Sequence, residues 1–262
     1  MRALSIAATG MQAQQTNVEV ISNNIANMNT TAYSRRRAEF TDLLYQNLRR
    51  QGVNSSDTGT VVPAGIQLGL GVRTAAVYRM TDTGSLTSTD NTLDLAIEGK
   101  GYFQITLPSG ETAYTRDGEF QLSSSGQIVT NDGYTVQPGI TIPTNTKTIT
   151  VNASGQVYVK QDGTTTQTLV GTLNLATFVN EAGLEAIGDN MYMETTASGT
   201  PSTGTPDSTG YGSILQGYLE TSNVNVVTEI TDLISAQRAY EMNSKVVTTT
   251  DEMLSAITNM KS

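Results

Sequence analysis

The run Tyr102-Phe103-Gln104-Ile105-Thr106-Leu107, closed by Pro108-Ser109-Gly110, sets the pattern for the middle of the chain. A short segment rich in aromatic and β-branched residues that stops at a turn tripeptide reads as a strand. Tyr114-Thr115-Arg116 then meets Asp117-Gly118, and Glu119-Phe120-Gln121-Leu122 follows. Ser125-Gly126 precedes Gln127-Ile128-Val129-Thr130, and Asp132-Gly133 precedes Tyr134-Thr135-Val136-Gln137. Asp-Gly accepts the positive φ angles of a tight hairpin, so this spacing predicts an antiparallel meander. Thr148 to Val151, Gln156 to Lys160 and Thr168 to Phe178 continue it, with turns at Ser154-Gly155 and Asp162-Gly163. Ser198 to Gly212 reads as a Ser/Thr/Gly/Pro loop without periodicity. Residues 81–221 therefore form an all-β, antiparallel domain.

Outward from this domain the period changes. Leu4, Ala7, Met11, Gln14, Val18, Ile21, Ile25 and Met28 step by three and four, which predicts a helix over about residues 1–30 with a narrow heptad seam. Gly10 costs such a helix about 1 kcal/mol against Ala. Val226, Ile230, Leu233, Gln237, Tyr240, Ser244, Val247, Thr250, Leu254 and Ile257 repeat the spacing over about 224–260. Asn225 is the expected N-cap, and Glu229 sits near the positive end of the helix dipole. Glu241 and Lys245 stand four apart in the stabilising order. Two readings stay open: two amphipathic helices of one ordinary core, or helices whose stripes need a further partner. The fold class is α+β, with terminal α-helices forming a coiled-coil-like domain around an inserted all-β antiparallel domain.

Composition removes most chemistry. With no Cys there is no disulfide framework, thiol nucleophile or cysteine metal site. With no His the commonest general base and transition-metal ligand are both missing. A net charge of −9 argues against a protein that tracks phosphates. No run approaches the roughly 20 apolar residues of a membrane helix. The patch from Leu4 to Ala8 is too short for the apolar core of a secretory signal, so no cleavable signal peptide is expected.

Residues 31–80 link the first helix to the β domain as an extended segment and carry seven of the fifteen Lys and Arg residues. Residues 1–79 hold eight Lys or Arg and four Asp or Glu, against seven and twenty in the remainder. Arg35, Arg36, Arg37, Arg49 and Arg50 dominate this basic side. A nucleic-acid patch would need an aromatic platform or groove motif beside it, and none accompanies it. A solvated basic stretch and a contact with the acidic part of a second copy are the remaining readings.

Catalytic patterns are thin. Asp-Thr-Gly occurs at Asp57 to Gly59 and at Asp82 to Gly84, with Asp207-Ser208-Thr209-Gly210 as a near match. No apolar strand leads into either triplet, so these read as polar turns and not as a proton-sharing carboxylate pair. Many acids supply glycosidase-like pairs by chance, and nothing selects one. Gly65, Gly69 and Gly71 lack the Lys-Ser/Thr of a phosphate loop. No catalytic, cofactor-binding or metal site is predicted, and the protein is not expected to be an enzyme.

The chain ends carry a longer text. Ser22-Asn23-Asn24-Ile25-Ala26-Asn27, then Thr31-Ala32-Tyr33 and the Arg35 to Arg37 run, resembles the N-terminal signature of bacterial flagellar rod and hook proteins. Gly217-Tyr218-Leu219-Glu220-Thr221-Ser222-Asn223-Val224-Asn225-Val226 and Gln237-Arg238-Ala239-Tyr240-Glu241-Met242-Asn243-Ser244-Lys245 are similar to its C-terminal signature. Leu93 to Phe103 and Tyr114 to Gly118 resemble the start of the family's β domain. Hook proteins are longer, and Tyr45 to Pro63 resembles the extra extended stretch of distal rod subunits; a proximal rod subunit is the second reading. Rod proteins commonly carry Gly where Ala32 stands and Lys where Ser34 stands, and Ala adopts a left-handed turn only at a cost.

The resemblance implies a self-assembling structural subunit, a helical tube that transmits motor torque. It implies an axial domain of residues 1–30 plus 222–262 and a β-rich outer domain of 81–221, joined by the 31–80 linker. The implied self-assembly residues are Leu4, Met11, Val18, Ile21, Ile25, Asn23, Asn24 and Asn27 in the first segment. In the last they are Val226, Ile230, Leu233, Gln237, Tyr240, Val247, Leu254 and Ile257. Tyr45, Arg49, Arg50 and Pro63 are implied as inter-subunit linker residues. Implied partners are further copies of the chain, the proximal rod protein below, the hook protein above, the P-ring and L-ring proteins, and the flagellar type III export apparatus. Nucleic acid and membrane insertion are not implied. A periplasmic peptidoglycan hydrolase or a monomeric adhesin-like module are the alternatives from other functional classes.

Overall fold

Two long helices frame the chain. The first, α1, spans Arg2–Ala26 and the last, α2, spans Val226–Met260. Asn225 caps α2, its Oδ1 accepting the backbone N–H groups of Val227 and Thr228 at 3.1 and 3.3 Å. The first helix ends earlier than the apolar spacing implied: after Ala26 the chain forms turns, the Thr30 N–H donating to the Asn27 carbonyl and the Tyr33 N–H to the Thr30 carbonyl. The computed structural model describes residues 2–49 and 64–260.

The chain divides into two compact units. The helical unit comprises residues 1–26, 36–78 and 225–262. Besides the helices it contains β1 (Arg36–Asp42), β2 (Tyr45–Arg49), β3 (Ile66–Gly69) and β4 (Val72–Arg79). β1 pairs with β4, and β2 pairs antiparallel with β3, so the segment read as an extended linker holds two small ribbons.

The β unit comprises residues 27–35 and 79–224. Its early strands are β5 (Leu86–Ser88), β6 (Leu95–Glu98), β7 (Tyr102–Thr106), β8 (Thr112–Thr115), β9 (Phe120–Leu122), β10 (Ile128–Thr130) and β11 (Thr135–Val136). Then come β12 (Thr146–Val151), β13 (Gln156–Gln161), β14 (Thr168–Thr172), β15 (Leu175–Thr177), β16 (Glu185–Gly188) and β17 (Met191–Met193). The last are β18 (Ser202–Gly204), β19 (Ser213–Gln216) and β20 (Tyr218–Glu220). A nine-stranded sheet runs β16-β17-β8-β7-β11-β10-β9, with β15 pairing both β7 and β18. β12-β13-β14 form a separate meander, and β6 pairs β19 while β5 pairs β20.

The strand pairings among the described residues of this unit are antiparallel, as expected, but the connectivity is less sequential than a simple meander. β11 returns to lie beside β7, and β17 beside β8. Asp132-Gly133 does make a hairpin turn, Gly133 having φ +86° between the paired β10 and β11. Asp117-Gly118 does not: β8 and β9 take other partners, and Gly118 is needed because its backbone lies against the Leu95 carbonyl, where any Cβ would collide. Thr168 to Phe178 splits between two sheets, and β18 forms inside the predicted 198–212 loop, on the edge of β15.

The core follows strand alternation. Val157 and Val159 on β13 are buried with Phe103, Phe120, Ile97, Leu175 and Ile214. The other face of β7 presents Tyr102 to a second cluster with Tyr114, Phe178 and Tyr192. β7 is thus buried on both sides from Tyr102 to Ile105, Gln104 being the one polar side chain in that stretch.

Candidate assembly face of the terminal helices

The contacts of α1 with α2 fix an antiparallel register. Asn24 Nδ2 donates to Glu229 Oε2 at 3.1 Å, both side chains being buried. At the far end a Cβ on Gly10 would lie 2.8 Å from Asn243 Nδ2, so the absence of a side chain there permits the close approach. Both pairs of residue numbers total 253, so residue i of α1 faces residue 253 − i of α2.

This register shows which positions meet. Alternate seam positions were read from the apolar spacing: Ala7 and Ile21 are buried in α1, and Val226, Leu233 and Val247 are half-buried in α2. Between them Asn24, Glu229, Ala236 and Thr250 are buried and Gly10 lies against Asn243; of these small or polar residues the spacing had included only Thr250. Leu4, Met11, Val18 and Ile25 of the expected seam are half-buried, whereas Ile230 and Gln237 are exposed. Glu229, expected near the positive end of the helix dipole, does stand in the first turn of α2, where it is buried against Asn24.

Asn24 is a junction. Its Nδ2 also donates to the Arg36 carbonyl at 2.9 Å, and its Oδ1 accepts the Arg36 N–H at 2.8 Å. One side chain therefore ties α1 both to α2 and to the start of β1. Asn23 is exposed on α1, while Asn27 lies in the β unit and accepts from Thr30.

The helices differ in length, about 37 Å against 52 Å at 1.5 Å per residue. By the register, Arg2 faces residue 251, and residues 251–260 of α2 are all exposed. They include Met253, Leu254, Ile257 and Met260. Tyr240 and Ile230 are also exposed, 44% and 45% accessible, on the body of α2. The β2–β3 ribbon is similarly uncovered, with Leu44, Tyr45, Leu48, Ile66 and Leu68 exposed. Arg50 and Pro63 lie outside the described residues, as do most of Tyr45 to Pro63, and of Arg49 only its place at the end of β2 is described.

The signatures at the two ends meet again in the β unit. Ala32 donates its N–H to the Glu220 carbonyl at 2.8 Å, and Asn223 Oδ1 accepts the Arg35 N–H at 2.7 Å. Thr31 Oγ1 donates to Glu119 at 2.6 Å. Arg116, from the Tyr114 to Gly118 motif, is buried and pairs with Glu220 at 2.8 Å. Its other nitrogens donate to the carbonyls of Gly99, Gly101 and Ile97. Glu220 in turn accepts the Gly84 N–H at 2.9 Å. One guanidinium therefore knits together three of the motifs that carry the family resemblance. Sequence reading quoted Arg116 and Glu220 within motifs but had no signal that they were partners.

Chemistry elsewhere is sparse. Asp117, Glu119, Asp132 and Asp189 line a cavity of about 200 Å³ with Asn131 and Asn190. Burial raises the Asp117 carboxyl to about 6, with help from the charges of Glu119 and Asp94. Burial also raises the Tyr102 hydroxyl, which donates to Glu181 at 3.0 Å. Among the described residues no group of three or more acidic side chains is placed to hold a metal ion. No described helix is long and apolar enough to cross a membrane. Of the Asp-Thr-Gly triplets, Asp57 lies outside the described residues, and the Asp82 carbonyl accepts from Asn223.

Charge divides with the units. The helical unit has nine Lys or Arg and nine Asp or Glu, whereas the β unit has six and fifteen. The basic excess of residues 1–79 is thus balanced by acids of α2, and the net −9 resides in the β unit.

Three family models match along the chain. They are a flagella basal body rod protein model over residues 4–33, a flagellar hook protein FlgE/F/G D1 domain over 96–159, and a flagellar basal body rod FlgEFG C-terminal model over 215–260. Flagellar basal-body rod protein FlgG of Caulobacter vibrioides is 59% identical over 262 residues, covering 100% of both chains. The FlgG of Agrobacterium fabrum is 55% identical with the same coverage, and that of Bacillus subtilis is 38% identical over 272 residues, covering 100% of this chain and 99% of the relative. The chain belongs to the flagellar rod and hook family and, within it, to the FlgG basal-body rod proteins. This family is structural and not enzymatic.

Proposed function

We propose that the protein is the structural subunit of the flagellar distal rod, polymerising into a helical tube that carries motor torque from the basal body to the hook. The observation that carries this reading is the overhang of α2, where Met253, Leu254, Ile257 and Met260 lie uncovered beyond the reach of α1. A contiguous exposed apolar stripe of this kind marks a protein contact. Residues 1–30 and 222–262 form a coiled-coil-like axial domain that packs against other copies, and residues 81–221 form the outer domain. Leu4, Met11, Val18, Ile25, Ile230, Tyr240, Leu254 and Ile257 take part in those contacts. The exposed β2–β3 ribbon, with Tyr45, extends the linker 31–80 towards a neighbouring subunit.

The same reading supplies partners and location. The proximal rod protein FlgF joins below and the hook protein above, and the P-ring and L-ring proteins surround the outer domains. The rod spans the periplasm to the outer membrane, and its subunits arrive unfolded through the flagellar type III export apparatus. A chain that lacks Cys passes such a channel without forming disulfides. Electron micrographs of purified, concentrated protein test the reading: long rods support it. Persistent monomers together with clearing of a peptidoglycan suspension would replace it with the hydrolase alternative.

A further inference from the structure

We propose that the small and polar contacts at Gly10, Asn24, Glu229 and Asn243 set the register of the helix pair, which makes Asn24 and Glu229 its specificity-determining residues. The apolar positions cannot do this by themselves. Val226, Leu233, Tyr240, Val247 and Leu254 recur every heptad along α2. By the register Ala13 faces Tyr240 and Val20 faces Leu233, and sliding α1 by one heptad towards the C-terminus of α2 would present them to Val247 and Tyr240 of the same rank. The uncovered residues 251–260 leave room for that slide.

Only the polar contacts distinguish the two arrangements. In the slipped pair Asn24 would face Ala236, and Glu229 would face no residue of α1, which ends at Ala26. The hydrogen bond between the Asn24 amide and the Glu229 carboxylate would be lost, and Asn24 could no longer serve Arg36 and Glu229 together. Buried polar seam residues give up stability and fix register in this way. Where the helices build the axial contacts proposed above, the same pair fixes how far each copy's overhang projects towards the next.

Because the native chain contains no Cys, introduced cysteines report register without background. Full-length protein carrying Gly10→Cys is combined with Asn243→Cys for the observed register, and with Thr250→Cys or Ala236→Cys for a one-heptad slip either way. Mild oxidation of the otherwise native chain should favour the 10–243 disulfide over the 10–250 disulfide by roughly tenfold or more. In the Asn24→Leu/Glu229→Leu background the 10–250 product should rise to within about twofold of it. Asn24→Asp, which sets two carboxylates together, should also erode the preference, and Asn24→Asp/Glu229→Gln should restore it. Circular dichroism identifies any background that fails to fold, in which case the Asp and Asp/Gln pair decides. A preference unchanged in every folded background overturns the proposal. The readout is intramolecular, so its failure is separable from a failure to form rods.

Discussion

The Arg116 Nε and the Glu220 Oε2 stand 2.8 Å apart with both side chains under one-tenth exposed, joining the strand β20 that leaves the β unit to the loop after β8. Neither group can be removed alone without stranding the other. Glu220→Ala leaves a buried guanidinium with carbonyl partners only and frees the Gly84 N–H. The expected cost is about 3–5 kcal/mol of β-unit stability. Urea unfolding followed by tyrosine near-ultraviolet circular dichroism measures it; a loss below about 1 kcal/mol would mean that the pair is dispensable.

Ala32 is buried with φ +55°, in the turn where rod proteins commonly carry Gly. Left-handed backbone costs an L-residue with a Cβ about 1–2 kcal/mol, part of which Gly returns through unfolded-chain entropy. Ala32→Gly should therefore stabilise the β unit by about 1 kcal/mol. A lowered melting temperature would contradict that sign.

Asp117 gives the β unit a pH dependence. Its carboxyl is raised from 3.8 to about 6, first by burial and then by Glu119 and Asp94, against hydrogen bonds from the Glu119 N–H and Asn190. The folded state holds the proton more tightly than the unfolded chain, so stability falls as pH rises from about 4 to 6 and the penalty is complete above 6. Asp117→Asn keeps an acceptor for the Glu119 N–H and removes the charge. It should raise stability at pH 7 by about 2–3 kcal/mol and change little near pH 4. Thermal melts of both proteins across that range check the crossover; equal gains at both ends would exclude the carboxyl as the cause.

The helix pair should be weak in an isolated copy. Of the side chains buried along α1 and α2, only Ile21 is a large apolar one, the others being Ala7, Ala13, Asn24, Glu229, Ala236 and Thr250. One such burial is worth roughly 1.5–3 kcal/mol, little against the entropy of ordering two long helices. Hydrogen exchange on dilute monomer should find residues 251–260 unprotected and the rest of both helices far less protected than β7 and β13. Strong protection throughout both helices in a confirmed monomer would show that no further copy is required.

How much of this was legible follows from what each residue contributes locally. The strands and most turns could be read because alternation and turn dipeptides act within a few residues, as at Val157, Val159 and Gly133. The helices were legible from apolar spacing, but two of their contacts were not: Gly10 against Asn243 and Asn24 against Glu229 depend on closeness or hydrogen bonding, which leaves no hydropathy signal. Gly118 looked like a hairpin turn and instead yields space to the Leu95 carbonyl, a contact made by chain far from its own hairpin partners. Arg116 and Glu220 are 104 positions apart, and nothing local marks them as partners. Ala32 was flagged by its departure from the family's Gly, and its positive φ gives that departure a physical meaning.

The central claim is that uncovered helical surface near the chain terminus drives polymerisation. Sedimentation and electron microscopy of Leu254→Asp beside the parent protein, at matched high concentration, measure it most directly. A charge in an interface that should bury Leu254 forfeits roughly 1.5–3 kcal/mol of apolar contact at every subunit and adds a desolvation cost. The account predicts rods from the parent, only monomers from the variant, and an unchanged β-unit melting transition in both. Rods of normal length from Leu254→Asp would contradict it.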